Sequence, residues 1–274
     1  MRATTDNRPI IVGGCYRSGT SLVRRVLDSH PRIHCGPEVK FFRDFHSDYL
    51  DVTDPIEHLR FLTTARSLVP EEDLLEIFGA AFVTMHERAA CEAGKPRWAD
   101  KVPENVVFLE EWQRLLGDRW VFLHVVRNPL DTLASIEESG FPRSIPTDLD
   151  GRIGLYLEYA EAGLRFADQS PDRYVRVLYE DLVQSPEAAV RRLMGSLGES
   201  FDPRQLAINA SPHQSGLEDP KAARASKVHR DGIGRWRREL STRDAEEIAA
   251  RTAAVWARLD PEGRHPVAAG ATRR

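Results

Sequence analysis

The sequence predicts a three-layer α/β fold, with a central parallel β-sheet flanked by helices. Three observations carry that prediction. Short β-branched runs alternate with amphipathic stretches of helical period. The run WVFLHVV at 120–126 is almost wholly apolar, as a strand covered on both faces must be. A strand-like run, a glycine-rich turn and a helical pattern follow one another between positions 9 and 29. With 274 residues, 41% hydrophobic and 29% charged, the chain can bury a large core, and a single domain over 1–274 accounts for it. Within it we expect a helical insertion at about 42–95, a long loop at about 210–236 and a frayed tail at about 262–274.

Taken in order, 9–12 reads as a strand and 20–29 as a helix, with Leu22, Val23, Val26 and Leu27 on one face. A short strand is expected at 32–34. Positions 55–90 read as helical, with Leu74, Leu75, Ile77, Phe78, Ala81, Phe82 and Met85 spaced for burial. A strand at 97–100 leads into a helix at 103–116, where Pro103 suits the first turn. The strand at 120–126 ends on Arg127 and is followed by a helical stretch. Tyr174–Leu178 reads as another strand, 185–197 as a helix opening on Ser-Pro-Glu, and Thr242–Leu259 as a final helix.

The 38 basic and 42 acidic residues give a net charge of −4, so neither a general nucleic-acid surface nor a membrane-binding field is supported. Any anion site must be local. Only 5 of the basic residues are lysine, an arginine bias that fits a GC-rich bacterial coding genome. Cys15, Cys35 and Cys91 are odd in number and lack CxxC spacing, which argues against a disulfide or zinc scaffold and for a reducing, cytoplasmic setting. There is no run of 18 apolar residues and no leader pattern, so no membrane span or signal peptide is expected. Homodimer formation stays open.

The strongest motif is IIVGGCYRSGTSLVRRVLDSHP, where Gly14 to Ser21 stand in register with a P-loop except that Thr20 occupies the lysine position. Backbone amides at a helix N-terminus cradle phosphate, and here Arg17 supplies the cation from inside the loop. No metal site is expected, because the strand at 120–126 ends in Arg127 where a nucleotide-hydrolysing enzyme would carry a magnesium-binding carboxylate. The pattern G-x-x-R-S-G-T-S-L resembles the 5′-phosphosulfate loop of sulfotransferases that use 3′-phosphoadenosine 5′-phosphosulfate (PAPS) and release adenosine 3′,5′-bisphosphate (PAP). That resemblance implies a P-loop-like fold and gives Arg17, Ser18, Gly19, Thr20 and Ser21 to the 5′-phosphate.

In VVRNPLDTLAS, Arg127 at a strand end and Ser135 eight residues on suit a dianionic phosphate at the carboxyl edge of a parallel sheet. The segment matches the family's 3′-phosphate motif. VLYEDLVQSPE resembles the family's adenosine-contacting segment and implicates Tyr179, which reads equally well as a half-buried strand-end tyrosine. ASKVHRDGIGRW resembles the loop that closes over the nucleotide and implicates Ser226 and Arg230.

Sulfuryl transfer to a hydroxyl needs a base at the acceptor and positive charge at the departing oxygen. The histidine base of the cytosolic small-molecule enzymes is absent, because WADKVPEN carries Lys101 but has Pro103 where that histidine would fall. Instead Cys35-Gly36-Pro37-Glu38-Val39-Lys40 resembles the catalytic segment of tyrosylprotein sulfotransferases, which implies Glu38 as general base and Lys40 on the acceptor side. The same resemblance puts Lys101 and Ser226 on the leaving oxygen. His30, His34 and His229 remain competitors or helpers for the base. Where the tyrosylprotein enzymes have a further phosphate-binding arginine this chain has Ser139, with Arg143 nearby. The acceptor implied is a hydroxyl of a small metabolite or natural product, or a peptide tyrosine, in a pocket built from 40–45, the 55–90 helices and 140–159. A phosphotransferase using Mg-ATP is the reading of another class.

Overall fold

The computed structural model describes residues 6–46, 64–139, 145–207 and 231–267. Five strands, β1 (Ile10–Gly13), β2 (Ile33–Cys35), β3 (Arg97–Lys101), β4 (Val121–Val126) and β5 (Tyr174–Leu178), form one parallel sheet in the order β2-β3-β1-β4-β5. Helices make the crossovers that parallel pairing requires. Helix α1 (Thr20–Asp28) joins β1 to β2, and α2 (Phe41–His46) and α3 (Glu71–Glu92) lie between β2 and β3. A 3₁₀ turn (Pro103–Val107) and α4 (Leu109–Leu116) lead to β4, and α5 (Pro129–Ser139) and α6 (Leu149–Gln169) lead to β5. Then follow α7 (Tyr179–Gln184), α8 (Pro186–Ser196), α9 (Trp236–Glu239) and α10 (Thr242–Leu259).

Alternation along the strands generates the layers. Ile10, Val12, Leu123 and Val125 pack with Val23 and Leu27 of α1 and Val190 and Leu193 of α8. Their neighbours Ile11, Phe122 and Val126 point the other way, into a second core with Trp112, Leu130, Ile153 and Trp256. A period of two with both faces apolar leaves no face for water, so helices cover both. Among the described residues no helix is long and apolar enough to cross a membrane.

Four expectations are corrected. The single helix at 103–116 is broken at Phe108, because Asn105 is pinned to the sheet: its Nδ2 donates to Val12 O (3.1 Å) and Asp100 Oδ2 (2.7 Å), and its Oδ1 accepts from Trp112 Nε1 (3.1 Å). Helix α6 was not anticipated; Asp148 caps it, accepting from Gly151 N at 2.8 Å. In α3, Leu74, Leu75 and Phe82 are buried but Ile77 and Met85 are exposed, since only one face of this helix meets the core. The tail expected to fray from about 262 is held further on, with Trp256 Nε1 donating to His265 O (2.8 Å) and His265 Nε2 lying 2.9 Å from Asp181 Oδ1. Positions 47–63 and most of the 210–236 loop lie outside the described residues.

Candidate active site

All five strands end at one edge, and each delivers a functional segment there. In register, Val12 lies beside Lys101, Gly13 beside His124, and Val126 beside Leu178. The loop after β1 turns tightly, with Ser18 N donating to Cys15 O at 3.1 Å, and runs straight into α1. Two residues there are left-handed: Gly19 at φ 100°, which a Cβ would drive to 2.6 Å from the Tyr179 ring, and Arg17 at φ 65°. A left-handed arginine costs about 1–2 kcal/mol, and such strain concentrates at functional loops. Gly19, as N-cap of α1, provides no side-chain oxygen. Ser18 is 1% exposed and its Oγ lacks a hydrogen-bond partner among the described residues. A positive helix end with an orphaned buried hydroxyl beside it is a fit for a phosphate.

Lys101, the last residue of β3, is 1% exposed; its Nζ forms an ion pair with the Glu38 carboxylate and lies 3.4 Å from Ser21 Oγ. Glu38 stands three residues beyond β2. Arg24 of α1 fixes the departure of that segment, donating from Nη1 to Cys35 O (3.2 Å) and Gly36 O (3.3 Å). Asp28 Oδ1 accepts from Cys35 N at 3.0 Å. Burial pushes the Cys35 thiol up to about 12, which makes it a packing residue and no nucleophile.

Arg127 follows β4 and is 5% exposed. Its Nη1 donates to Arg17 O (2.8 Å) and its Nη2 to Gly232 O (2.5 Å), while Nε has no hydrogen-bond partner among the described residues. The guanidinium lies 4.5 Å over the ring of Tyr179, the first residue after β5. Burial works against the charge of Arg127 and raises the Tyr179 phenol. Ser135 Oγ accepts from Arg17 Nε (3.1 Å) and from Arg235 Nη1 (3.2 Å). Asp131 clasps the segment carrying Arg235, accepting from Gly234 N (2.7 Å) and Trp236 N (3.2 Å). Arg17 and Ser135, assigned from sequence to different phosphates, are therefore direct neighbours.

A narrow cleft, with room for about one water, is lined by Val39 to Arg43, Phe82, Val102, Phe108 and the polar Asp100, Glu104 and Asn105. Glu104 accepts from Tyr16 OH (2.5 Å) and Arg43 Nη1 (3.1 Å), with Lys40 Nζ at 3.8 Å. Burial, reinforced by Glu104, raises the Tyr16 phenol. Phe41 stacks on Phe82 (centroids 4.5 Å apart), and Tyr159 of α6 contacts Tyr16 at 5.6 Å.

The structure thus brings Arg17, Ser18, Gly19, Thr20, Ser21, Glu38, Lys101, Arg127, Ser135 and Tyr179 to one edge. Ser226, Arg230, His229 and Arg143 lie outside the described residues. His30 is engaged with Ser200 O (2.9 Å) and His34 lies 3.6 Å from Asp28, and burial lowers the pKa of both. Sequence reasoning missed Tyr16, Arg24, Arg43, Glu104 and Arg235. Four of these, Tyr16, Arg24, Glu104 and Arg235, stand inside motifs already singled out, but no spacing rule distinguishes them from neighbouring polar residues.

A phosphate-loop α/β fold with a cationic edge is the class these features define. The sulfotransferase family profile matches residues 9–203. The chain belongs to the sulfotransferase family, whose enzymes use PAPS. Among relatives, a protein-tyrosine sulfotransferase of Drosophila melanogaster is 26% identical over 81% of this chain and 43% of its own length. The nodulation protein NoeE of Sinorhizobium fredii is 23% identical over 86% of this chain and 61% of its own. The chain therefore spans between about two fifths and three fifths of the length of these relatives. The same fold is seen in the sulfotransferase domain of the Synechococcus PCC 7002 olefin synthase (TM-score 0.63, 20% identity, 90% of this chain and 94% of that one). A mouse sulfotransferase complexed with PAP also shares it (TM-score 0.50, 12% identity, 94% and 87%).

Proposed function

We propose that the protein moves the sulfuryl group of PAPS to a hydroxyl of a small-molecule metabolite or natural product, with Glu38 as general base. The observation that carries this reading is the Glu38–Lys101 pair beside Ser21 of the phosphate loop: a base and a cation within one contact of the donor cradle. Arg17, Ser18, Thr20 and Ser21 hold the 5′-phosphate end, and Arg127, Ser135 and, outside the described residues, Arg230 the 3′-phosphate. Tyr179 lies against Gly19 and suits the adenosine. Nucleotide entry exchanges the partner of Lys101, from carboxylate to the anionic oxygen that will leave. Glu38, so released, takes the proton of the acceptor hydroxyl as the sulfur–oxygen bond forms, while Lys101, with Ser226 from the covering loop, stabilises charge on PAP.

The family matches support this donor, as does the mouse relative's complex with PAP. Calorimetry tests it: PAP should bind tightly in the presence of EDTA, whereas binding of Mg-ATP alone would favour a phosphotransferase. A second reading, transfer to peptide tyrosine, is favoured by relatives named protein-tyrosine sulfotransferases. Incubation with labelled PAPS and separate peptide and metabolite fractions, read by mass spectrometry, separates the two.

A further inference from the structure

Among the described residues, Arg17 alone carries a side chain other than glycine's on left-handed backbone, at φ 65°. Such a conformation persists only where its surroundings over-determine it. On one side Arg127 Nη1 holds the Arg17 carbonyl, at 2.8 Å. On the other stands Tyr16, whose hydroxyl donates to Glu104 Oε1 (2.5 Å) and accepts from Arg43 Nη1 (2.8 Å). Arg43 Nη1 also donates to Glu104 Oε1 (3.1 Å), so the three side chains close a ring of hydrogen bonds. Burial, reinforced by Glu104, raises the Tyr16 phenol and keeps it a donor. Glu104 is itself a fixed point, being 2% exposed and part of the 3₁₀ turn that follows Lys101. That turn grips the chain from β1 onward: Asn105 Nδ2 donates to Val12 O (3.1 Å), Pro103 O accepts from Gly14 N (3.0 Å), and Val106 N packs so closely on Gly13 that a Cβ there would meet it at 2.6 Å. The Tyr16 hydroxyl is the last of these attachments, one residue before the strained position.

We propose that Tyr16 is a positioning residue for the donor: its hydrogen bond to Glu104 anchors the loop so that Arg17 stays left-handed, with its guanidinium aimed at the phosphate site before nucleotide arrives. This rests on the donor reading above and adds a residue that acts through Arg17 without touching the phosphate. In that conformation Arg17 Nε donates to Ser135 Oγ at 3.1 Å, which holds the guanidinium between the segments that follow β1 and β4. A loop set in its bound form loses less freedom when the ligand enters, so the anchor contributes to affinity through preorganisation.

A double-variant cycle makes the test. Tyr16→Phe removes the hydroxyl, keeps the ring against Tyr159 and leaves Glu104 paired with Arg43. PAP affinity is measured by calorimetry for wild type, Tyr16→Phe, Arg17→Gly and the double variant. Tyr16→Phe should weaken PAP by about tenfold in the wild-type background, the worth of one hydrogen bond to a charged group. In the Arg17→Gly background it should cost less than about twofold, because neither strain nor guanidinium remains to be held. A merely structural role would weaken PAP alike in both. Should Arg17→Gly bind too little PAP to measure, urea unfolding reads the same cycle: glycine relieves strain at residue 17, so Arg17→Gly should shift the midpoint upward more in wild type than in Tyr16→Phe. Tyr16→Met carries both cycles if Tyr16→Phe does not fold. Unchanged PAP affinity in Tyr16→Phe, or equal effects in the two backgrounds, overturns the proposal and leaves the donor reading standing. Failure of wild-type protein to bind PAP overturns both.

Discussion

Glu38 and Lys101 meet across 63 residues of sequence: one stands in a loop beyond an edge strand, the other ends a strand next to the central one. Their contact assigns separable roles. Glu38→Gln should lower kcat by about 10²–10⁴-fold, the usual worth of a positioned general base, while PAP affinity measured by calorimetry is retained. Loss of PAP binding in step with activity would assign Glu38 to the nucleotide instead. Arg127 makes a contrasting case. Its two outer nitrogens hold Arg17 O and Gly232 O, so it joins the loop after β1 to the segment before α9. Arg127→Lys keeps the charge but loses the fork, and PAP affinity should fall by about 10–100-fold. A variant that binds PAP as wild type would reduce Arg127 to a packing residue. Tyr16 and Arg235 were invisible to sequence reasoning because their roles depend on partners 88 and 100 residues away.

At the scale of elements, the β1-loop-α1 unit was legible almost to the residue, since a local pattern of apolar run, glycines and hydroxyls specifies it. Thr242–Leu259 and Tyr174–Leu178 likewise came out with their observed bounds. What failed was context. Asn105 breaks a helical pattern by bonding across to β1 and β3, a non-local competitor that no window of sequence contains. Helix α6 carries its own local signals, Asp148 as cap and Leu149, Ile153, Tyr156 and Ala160 at helical spacing. The Gly19 turn gives the prediction at this scale. Gly19→Ala meets the Tyr179 ring at 2.6 Å in a left-handed conformation, and should cost about 1–3 kcal/mol in denaturant unfolding, with PAP binding lost or greatly weakened. Unchanged stability and PAP affinity would mean that the loop and Tyr179 are free to separate.

For the whole molecule, buried histidines set the acid limit. His124 in β4 has its Nδ1 3.0 Å from Tyr174 OH, and burial pushes its pKa down to about 3. The unfolded chain takes up a proton near pH 6.5 that the folded state refuses until about pH 3, so stability is full above 6.5 and falls across that window. Burial lowers His30 and His34 in the same sense. Between pH 7 and pH 5, His124 alone should remove about 2 kcal/mol from the unfolding free energy, measurable by urea titration. A flat profile there would show that His124 is hydrated or protonated in the folded state.

From sequence alone came the sheet, its parallel sense and the turn between β1 and α1, because each is encoded in a short pattern whose physics is local. An acidic chain could also be seen to need a confined cationic site. Only the tertiary structure decided which side chains meet there. The order β2-β3-β1-β4-β5 aligns five strand ends, and thereby sets Lys101 against Glu38, Arg127 over Tyr179, and Glu104 against Tyr16 and Arg43. Long-range pairing fixes those encounters, since a side chain's partners are chosen by strand order and register, and these are decided by burial over the whole chain.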